Sequence, residues 1–440
     1  MPISLKPDVL VCGAGCAGIA ATLACARAGV QTLLIERAPF AGGIITCAGL
    51  PHFDGVGRKK DGVIVTRGIP LELLARMGVC KLSDQVIQPY NVAINSIERF
   101  KSVVDELLRA EPNLQVLYHA FAVDVVVKDD RITEVLIAGK AGLPRIHATT
   151  VIDTTGDADI AARAGVPLDH SREYMPLTLH FRIGNVVPNP DLRCPGTQPG
   201  EVRATRCREV LQKAFEDGRI KSFYGPFISF RFAPDEAYVM ATRVAADATD
   251  PEDLTRAEMQ GRIDAWTIFE LWKQHVPGFE YSYYIGSGPY IGVRETRRIL
   301  GQYILTERDL KEEERFPDAG ATGCWWLDLQ PEYPTAGGAN PPPGAGPELV
   351  GYQPSYYDIP YRSLLPRQVA NLLVAGRCHS ATRLAASSTR VTATAMAMGQ
   401  AVGAAAALAK ESHTTVQELD GIKVRDLLDR QGVGPYTGPA

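Results

Sequence analysis

Apolar and polar positions along the chain switch between two periods, and each switch marks an element. The first informative stretch is Asp8 to Arg37, DVLVCGAGCAGIAATLACARAGVQTLLIER. An apolar run from Val9 to Cys12 meets Gly13, Gly15 and Gly18, and a small-residue helical pattern follows to Ala28. Gly29 stops it, and a second apolar run from Thr32 to Ile35 ends in Glu36. The pattern predicts strand, glycine turn, helix, strand. Helical spacing returns over Gly68 to Met77, Ser96 to Arg109 and Pro251 to His275, the last with Asp250 placed to cap it and a set of Met259, Ile263, Trp266, Ile268, Phe269 and Trp272 facing a core. Strand-like runs fall at Leu114 to Leu117, Ala120 to Lys128, Ile132 to Ala138 and Ala148 to Asp153, with a hairpin turn at Asp129-Asp130-Arg131. After about Pro167, alternation in Leu177 to Ile183, Ser222 to Phe232 and Tyr238 to Val244 predicts an antiparallel sheet. Asn371 to Ala375 reads as a buried strand, Val391 to Ala409 as a core helix and Val416 to Gln431 as a closing amphipathic segment. Gly337 to Pro347 (GGANPPPGAGP) reads as a surface loop.

Composition narrows the class. At 440 residues the chain has room for two or three domains, and 45% hydrophobic with 22% charged residues is ordinary for a globular protein. A net charge of −4 gives no reason to expect nucleic acid or an anionic membrane as partner. Val391 to Ala409 contains Thr392, Thr394, Gly399, Gln400 and Gly403, which suits a core helix better than a membrane span. Met1 to Pro7 lacks a basic n-region, so no signal peptide is expected. The nine cysteines are scattered without a CxxC pair, and no HExxH or Cys/His cluster appears. Reduced thiols, a cytoplasmic location and no metal are the expectations.

The opening stretch fits a bound dinucleotide. Gly13 permits a tight turn, Gly15 lets backbone approach a pyrophosphate, and Gly18 lets helix and strand pack closely. The pyrophosphate would rest on the helix N-terminus, and Glu36 would take ribose hydroxyls. Two later stretches bear on which dinucleotide. Val151-Ile-Asp-Thr-Thr-Gly156-Asp157 and Asn371-Leu-Leu-Val-Ala-Gly376-Arg377 are both strands running into glycine turns. A long cofactor such as FAD has a use for these far returns, because its ribityl and isoalloxazine ends lie beyond the pyrophosphate.

At these residues the chain resembles the FAD-dependent oxidoreductase family of the glutathione-reductase superfamily. The resemblance covers nearly the whole chain: the GAGCAG turn with Glu36, the Gly42-Gly43-Ile44-Ile45-Thr46 loop, DTTGDAD, ATRVAADATDPEDLT at Ala241 to Thr255, GVRETRRILGQYILT at Gly292 to Thr306, DIPYRSLLP at Asp358 to Pro366, and NLLVAGRCHSAT with the helix after it. It implies that FAD is lined by Gly13, Ala14, Gly15, Cys16, Ala17, Gly18, Glu36, Arg37, Gly42, Gly43, Ile44, Thr46, Ala122, Val123, Thr155, Gly156, Asp157, Gly376, Arg377, Val391 and Thr392. Arg377 stands where many relatives of the superfamily carry an aspartate that bonds the ribityl chain, so that contact is not carried over. The fold implied is α/β: a Rossmann-like FAD-binding domain of the glutathione-reductase type, discontinuous over 1–165 and 364–412. A substrate domain of α+β type on an antiparallel sheet is inserted at 166–363, and 413–440 forms a helical tail. The helix starting near Thr389 to Thr392 would aim its N-terminus at the flavin, with Thr392 and Thr394 as caps.

A flavin dehydrogenase needs a proton acceptor as hydride leaves the substrate, and a reductase needs a donor and cations. His379, beside the Gly376-Arg377 turn, is the first histidine chosen. His180 lies in an alternating strand of the presumed substrate sheet, and His52 is a weaker choice. Tyr361 is a further candidate, and Arg294, Arg298 and Arg362 are candidate clamps. For Arg294-Glu295-Thr296-Arg297-Arg298 a second reading competes, a salt-bridged strand that fastens two domains and places Arg294, Thr296 and Arg298 on one face. Cys47 and Cys378 read as bystander thiols. The expected reaction is hydride transfer between a small polar organic substrate and flavin, with dioxygen or another redox partner as electron acceptor and an oligomer allowed. A fumarate-reductase-like alkene reductase, a flavin monooxygenase and a flavin-dependent tRNA-modifying factor stand as alternatives, the last disfavoured by the charge.

Overall fold

Five short strands, four of them buried on both faces and one at the edge partly exposed, form the centre of the computed structural model, which describes residues 6–140, 142–170, 175–187, 205–330 and 351–438. They are β1 (Val9–Cys12), β2 (Thr32–Glu36), β3 (Leu114–Tyr118), β4 (Thr150–Asp153) and β5 (Leu372–Val374), and their order across the sheet is β5-β4-β1-β2-β3. All neighbours are parallel: Val9 pairs with Thr32 and Thr150, and Leu372 pairs with Val151. Register therefore brings the ends of β1, β4 and β5 side by side, although β5 lies more than two hundred residues from β4 in sequence.

Side-chain alternation explains why the inner strands carry apolar residues on both faces. Val9, Val11 and Leu34 pack on the helical side, while Leu10, Cys12, Leu33 and Ile35 pack on Ala122, Val125, Ile132, Val135, Ile137 and Ile146. That second layer is a small antiparallel sheet of Phe121–Lys128, Arg131–Ala138 and Arg145–Ile146, turned at Asp129 and Asp130, both at positive φ. On the helical side α1 (Cys16–Arg27) lies against α2 (Thr392–Ser412). Their closeness depends on glycine: a Cβ at Gly399 would stand 2.0 Å from the Ala17 carbonyl oxygen, and one at Gly403 2.6 Å from that of Ala21. α2 is long and apolar enough to cross a membrane, but 89% of its apolar window is buried inside the protein.

The middle of the chain carries a four-stranded antiparallel sheet in the order Phe227–Ser229, Ala237–Met240, Phe181–Gly184, Tyr283–Ser287. The strands are shorter than the alternation predicts, since Leu177 and Thr178 make only isolated bridges, to Val244 and Gly292. The helix Pro251–His275 packs on this sheet, and Asp250 caps it by accepting from the amides of Glu252 and Asp253. Of the large residues expected to face the core, Ile268, Phe269 and Trp272 do so, and the rest of the buried stripe is made of smaller residues such as Ala257, Gly261 and Ala265. Met259, Ile263 and Trp266 are at least half exposed because Gly261 admits Leu179 and Ile291 on the opposite face. The glycine- and proline-rich stretch expected as a surface loop at 337–347 lies outside the described residues.

Candidate active site

The cavity opens at the C-terminal edge of the parallel sheet, where β1, β4 and β5 end together. Gly13 leaves β1 at φ +100°, and a Cβ there would lie 2.7 Å from the Thr154 carbonyl oxygen. Gly18 is as tightly held, its Cβ position 1.8 Å from the Gly13 carbonyl oxygen. Gly15 differs: nothing in the protein comes nearer its Cβ position than Gly43 Cα at 3.9 Å. The glycine at the N-terminus of α1 thus leaves a cradle facing the cavity, with no side-chain cap on the helix. Glu36 is fastened beneath it, its carboxylate accepting from Ala14 N at 2.7 Å and Ala38 N at 2.8 Å. Asp153, at the end of β4, holds the next turn by accepting from Thr155 N and from Ile160 N and Ala161 N.

Most residues proposed for the cofactor come together here. Gly13, Gly15, Cys16, Ala17, Glu36, Arg37, Gly43, Ile44, Thr155, Gly156, Asp157, Gly376, Arg377, Val391 and Thr392 line the cavity, and Ala122 lines a small recess that continues it past Glu36 and Arg37. Ala14, Gly18, Gly42, Thr46 and Val123 do not line it. Gly42 N donates to the Ala14 carbonyl, Thr46 Oγ1 donates to the Ala41 carbonyl, and the Val123 carbonyl accepts from Arg163. These residues shape the loops that the lining residues sit on. Arg377 pairs with Asp157 at 3.0 Å, so an acid does reach this part of the cavity, from the turn after β4. The helix α2 starts at the wall, but Thr392 does not cap it. Its hydroxyl donates to the His52 carbonyl at 3.0 Å, and Val391 is the residue at the cap position.

Beyond this end the cavity widens into a chamber of side chains: His52, Asp54, His180, Tyr224, Phe227, Met240, Tyr290, Arg294, Trp325, Trp326, Asp328, Gln330 and Arg390. His52 and His180 flank Tyr238 edge-on, with ring centroids 5.7 and 5.8 Å away. Among the described residues His52 Nε2, His180 Nδ1 and Tyr238 Oη have no hydrogen-bond partner. Burial lowers His52 to about 4 and His180 to about 3, the latter helped by Arg294, so both are neutral at neutral pH. Asp54 moves the other way. Burial and then Asp328 raise its carboxyl to about 7, against the pull of Arg390. Arg294 donates to the Pro176 carbonyl and to Thr178 Oγ1 at 2.7 Å, and no carboxylate among the described residues pairs with it.

Four residues expected to be catalytic do not reach the cavity. His379 is fully buried under the helix Arg383–Thr389, with Nε2 2.7 Å from Thr389 Oγ1, because the chain turns away just after Gly376. Arg298 is 1% exposed and is held by Asp169 at 2.7 Å, Glu295 at 3.3 Å and the Ala381 carbonyl. Arg362 pairs with Asp318 at 2.8 Å near the surface, and Tyr361 Oη donates to the Val416 carbonyl at 2.7 Å. The run around Arg298 is not a regular strand. Glu295 and Arg298 meet, while Arg297 turns to Asp157 and Asp159, so fastening describes these two arginines and a cavity position describes Arg294 alone. Asp54, Tyr238, Trp325, Trp326, Asp328 and Arg390 escaped the sequence reading. The spacing of His52 and Asp54, two apart just past the glycine loop, and the adjacent tryptophans were the available signals.

Residues 8–428 match the family model described as FAD dependent oxidoreductase, and the chain belongs to that family. Its cofactor is FAD, and the open cradle at Gly15, the uncapped α1 and the fastened Glu36 fit the pyrophosphate and ribose of such a dinucleotide. The chain is 25% identical over 193 residues to digeranylgeranylglycerophospholipid reductase 2 of Methanothermobacter thermautotrophicus, over 42% of this chain and 49% of that protein, so it aligns with about half the length of this curated relative. Among solved structures it is similar to a geranylgeranyl bacteriochlorophyll reductase-like protein from Thermoplasma acidophilum, with 14% identity, 97% and 84% of the two chains covered and a TM-score of 0.48. It is also similar to GidA of Aquifex aeolicus, with 15% identity, 99% and 70% coverage and a TM-score of 0.49.

Proposed function

From membership in the FAD-dependent oxidoreductase family, we propose a dehydrogenase- or oxidase-type enzyme that moves a hydride between a small polar organic substrate and the flavin, with dioxygen or another redox partner as final acceptor. The proposal includes the domain division: 1–165 with 364–412 for the cofactor, 166–363 as a cap that carries most of the chamber, and 413–440 as a tail. FAD supplies the two-electron chemistry when bound. The amides of Cys16 and Ala17 at the α1 N-terminus hold its pyrophosphate, Glu36 takes ribose hydroxyls, and Gly376, Val391 and Thr392 flank the far end of the cavity.

The observation that carries this reading is the continuity of the cavity. It runs without a break from the Gly15 cradle into a chamber of titratable and aromatic side chains. That continuity suits a long cofactor whose far end meets a substrate in the chamber. In the chamber, Asp54 is the proton-handling group: a carboxyl poised near neutral pH both accepts and returns a proton at Oδ. Arg294 orients the polar end of the substrate, and Tyr224, Phe227, Trp325 and Trp326 keep water out. Anaerobic titration of the holoenzyme with alcohols, amines, sugars and hydroxy acids is the test. Bleaching of the oxidised flavin by one class is expected. If no compound bleaches it and no unsaturated acid re-oxidises the reduced form, the reading fails.

A further inference from the structure

Resting on the reading of the chamber as the substrate site, we propose that the substrate is a carboxylate on a flat apolar body, its anionic end held by Arg294 and Arg390. Arg294 and Arg390 line this end of the cavity, and a third guanidinium, Arg243, contacts the lining residues Tyr224 and Gln330. Arg294 has only neutral partners: the Pro176 carbonyl, Thr178 Oγ1 at 2.7 Å and Met240 Sδ at 3.8 Å. Arg243 is 5% exposed, lies over the Tyr224 ring at 5.0 Å and donates to Gln330 Oε1 at 2.7 Å. Arg390 donates to Asp328 at 3.0 Å, the one ion pair among these three cations in the described residues. Asp54 restores the balance only in part, because burial and Asp328 raise its carboxyl to about 7 and leave it partly protonated at neutral pH. The chamber therefore carries excess positive charge, and a buried excess charge is stable only with a counter-charge.

Unused donors point the same way. Arg243 Nε, Arg390 Nε, Trp325 Nε1 and Trp326 Nε1 are buried and have no hydrogen-bond partner among the described residues. Each of these groups donates and none accepts, so their complement is a group that only accepts. A carboxylate has that property and matches the planar fork of a guanidinium. The rest of the chamber decides the body of the molecule. Tyr224, Phe227, Trp325 and Trp326 supply ring faces and edges, which favour a flat unsaturated or aromatic partner over a flexible polyol.

Benzoate, benzyl alcohol and phenyl phosphate are the probes, titrated into the FAD-loaded protein with flavin difference spectra and calorimetry as readouts. Benzoate is expected to bind saturably and to perturb the flavin spectrum, at least about tenfold more tightly than benzyl alcohol. Arg294→Gln is expected to weaken benzoate about tenfold or more and to leave benzyl alcohol unchanged, with Arg294→Lys between them. Equal affinity for benzoate and benzyl alcohol overturns the assignment, as does a preference for phenyl phosphate. Undiminished benzoate binding by Arg294→Gln overturns it too. Should that variant not fold, the wild-type comparison decides alone. Benzoate that binds by calorimetry without touching the flavin spectrum would instead sink the chamber reading itself.

Discussion

Gly15→Ala and Gly18→Ala place the same methyl group in two different surroundings, and the difference isolates what the cofactor demands from what the fold demands. At Gly15 the backbone has φ −70° and ψ −172°, which alanine adopts without strain, and its Cβ would come no nearer the protein than 3.9 Å. The apoprotein is therefore indifferent to the change. A pyrophosphate on the α1 N-terminus is not, because the methyl occupies the space through which it reaches the amides. Each charge-assisted hydrogen bond lost costs about 1.5–3 kcal/mol, or about 10- to 150-fold in FAD affinity. At Gly18 the Cβ would stand 1.8 Å from the Gly13 carbonyl oxygen and 2.8 Å from Thr154 Oγ1. Both belong to the turns that close β1 and β4, so the clash costs about 1–3 kcal/mol or more of stability, offset by about 1 kcal/mol of helix propensity. Thermal unfolding of the apoproteins and FAD titration by flavin fluorescence read the two effects separately. Gly15→Ala should unfold with the wild type yet bind FAD poorly, and Gly18→Ala should unfold earlier. FAD affinity unchanged in Gly15→Ala would refute the placement of the pyrophosphate.

Asp54 makes stability depend on pH. Its carboxyl is raised from 3.8 to about 7 by burial and Asp328, so the folded state keeps the proton longer than the unfolded state. Its contribution is full below about pH 4 and is lost as pH rises through about 7. Asp54→Asn should melt with the wild type near pH 4 and above it near pH 8, and parallel melting curves would count against the shift. Arg298→Ala should cost about 3 kcal/mol by denaturant titration, since it takes from the buried Glu295 one of its two guanidinium partners while the more exposed Asp169 stays solvated, and the bound-flavin spectrum should stay the same. A stable variant with an altered spectrum would return Arg298 to the site. Arg362→Ala, which breaks a half-exposed pair with Asp318, should cost about 1 kcal/mol or less. Gly399→Val should push α2 off α1 through the 2.0 Å approach to the Ala17 carbonyl, lowering stability and FAD retention together, and normal retention would argue against that contact.

The nucleotide end was legible in the sequence because its requirements are local. Gly13 supplies the positive φ of the turn, Gly18 answers a contact with the Gly13 carbonyl in that same turn, and the acid that steadies it, Glu36, closes the next strand. The two distant glycine turns could be attached to it because parallel strands must end on one edge. Side-chain destinations were less legible. His379 is three residues from Gly376, yet its ring goes to Thr389 in the core, since proximity along a loop says nothing about which way the chain turns. Arg298 and Arg294 are four apart and reach an ion pair and a cavity wall, because the run is irregular and no strand period applies. Gly261 had a similar effect at larger scale, turning Met259, Ile263 and Trp266 outward by admitting Leu179 beneath the helix.

The two ends of the cavity differ in what builds them, and that difference determines what family membership can convey. The cradle is backbone: a positive-φ glycine, an uncapped helix terminus and two close approaches that no other residue allows. Such a device constrains the sequence at every position, so it can be read from one short stretch. The chamber is side chain, drawn from His52 and Asp54, from His180, from the 224–240 strands, from Arg294, from Trp325 to Gln330 and from Arg390. None of the chamber-lining residues at those positions has the positive φ or the backbone close approach seen at Gly13 and Gly18. Substrate choice can then change while the cofactor end stays fixed. On the proposed reading of the chamber, the charge balance of Arg243, Arg294 and Arg390 against Asp328 is what would select the substrate.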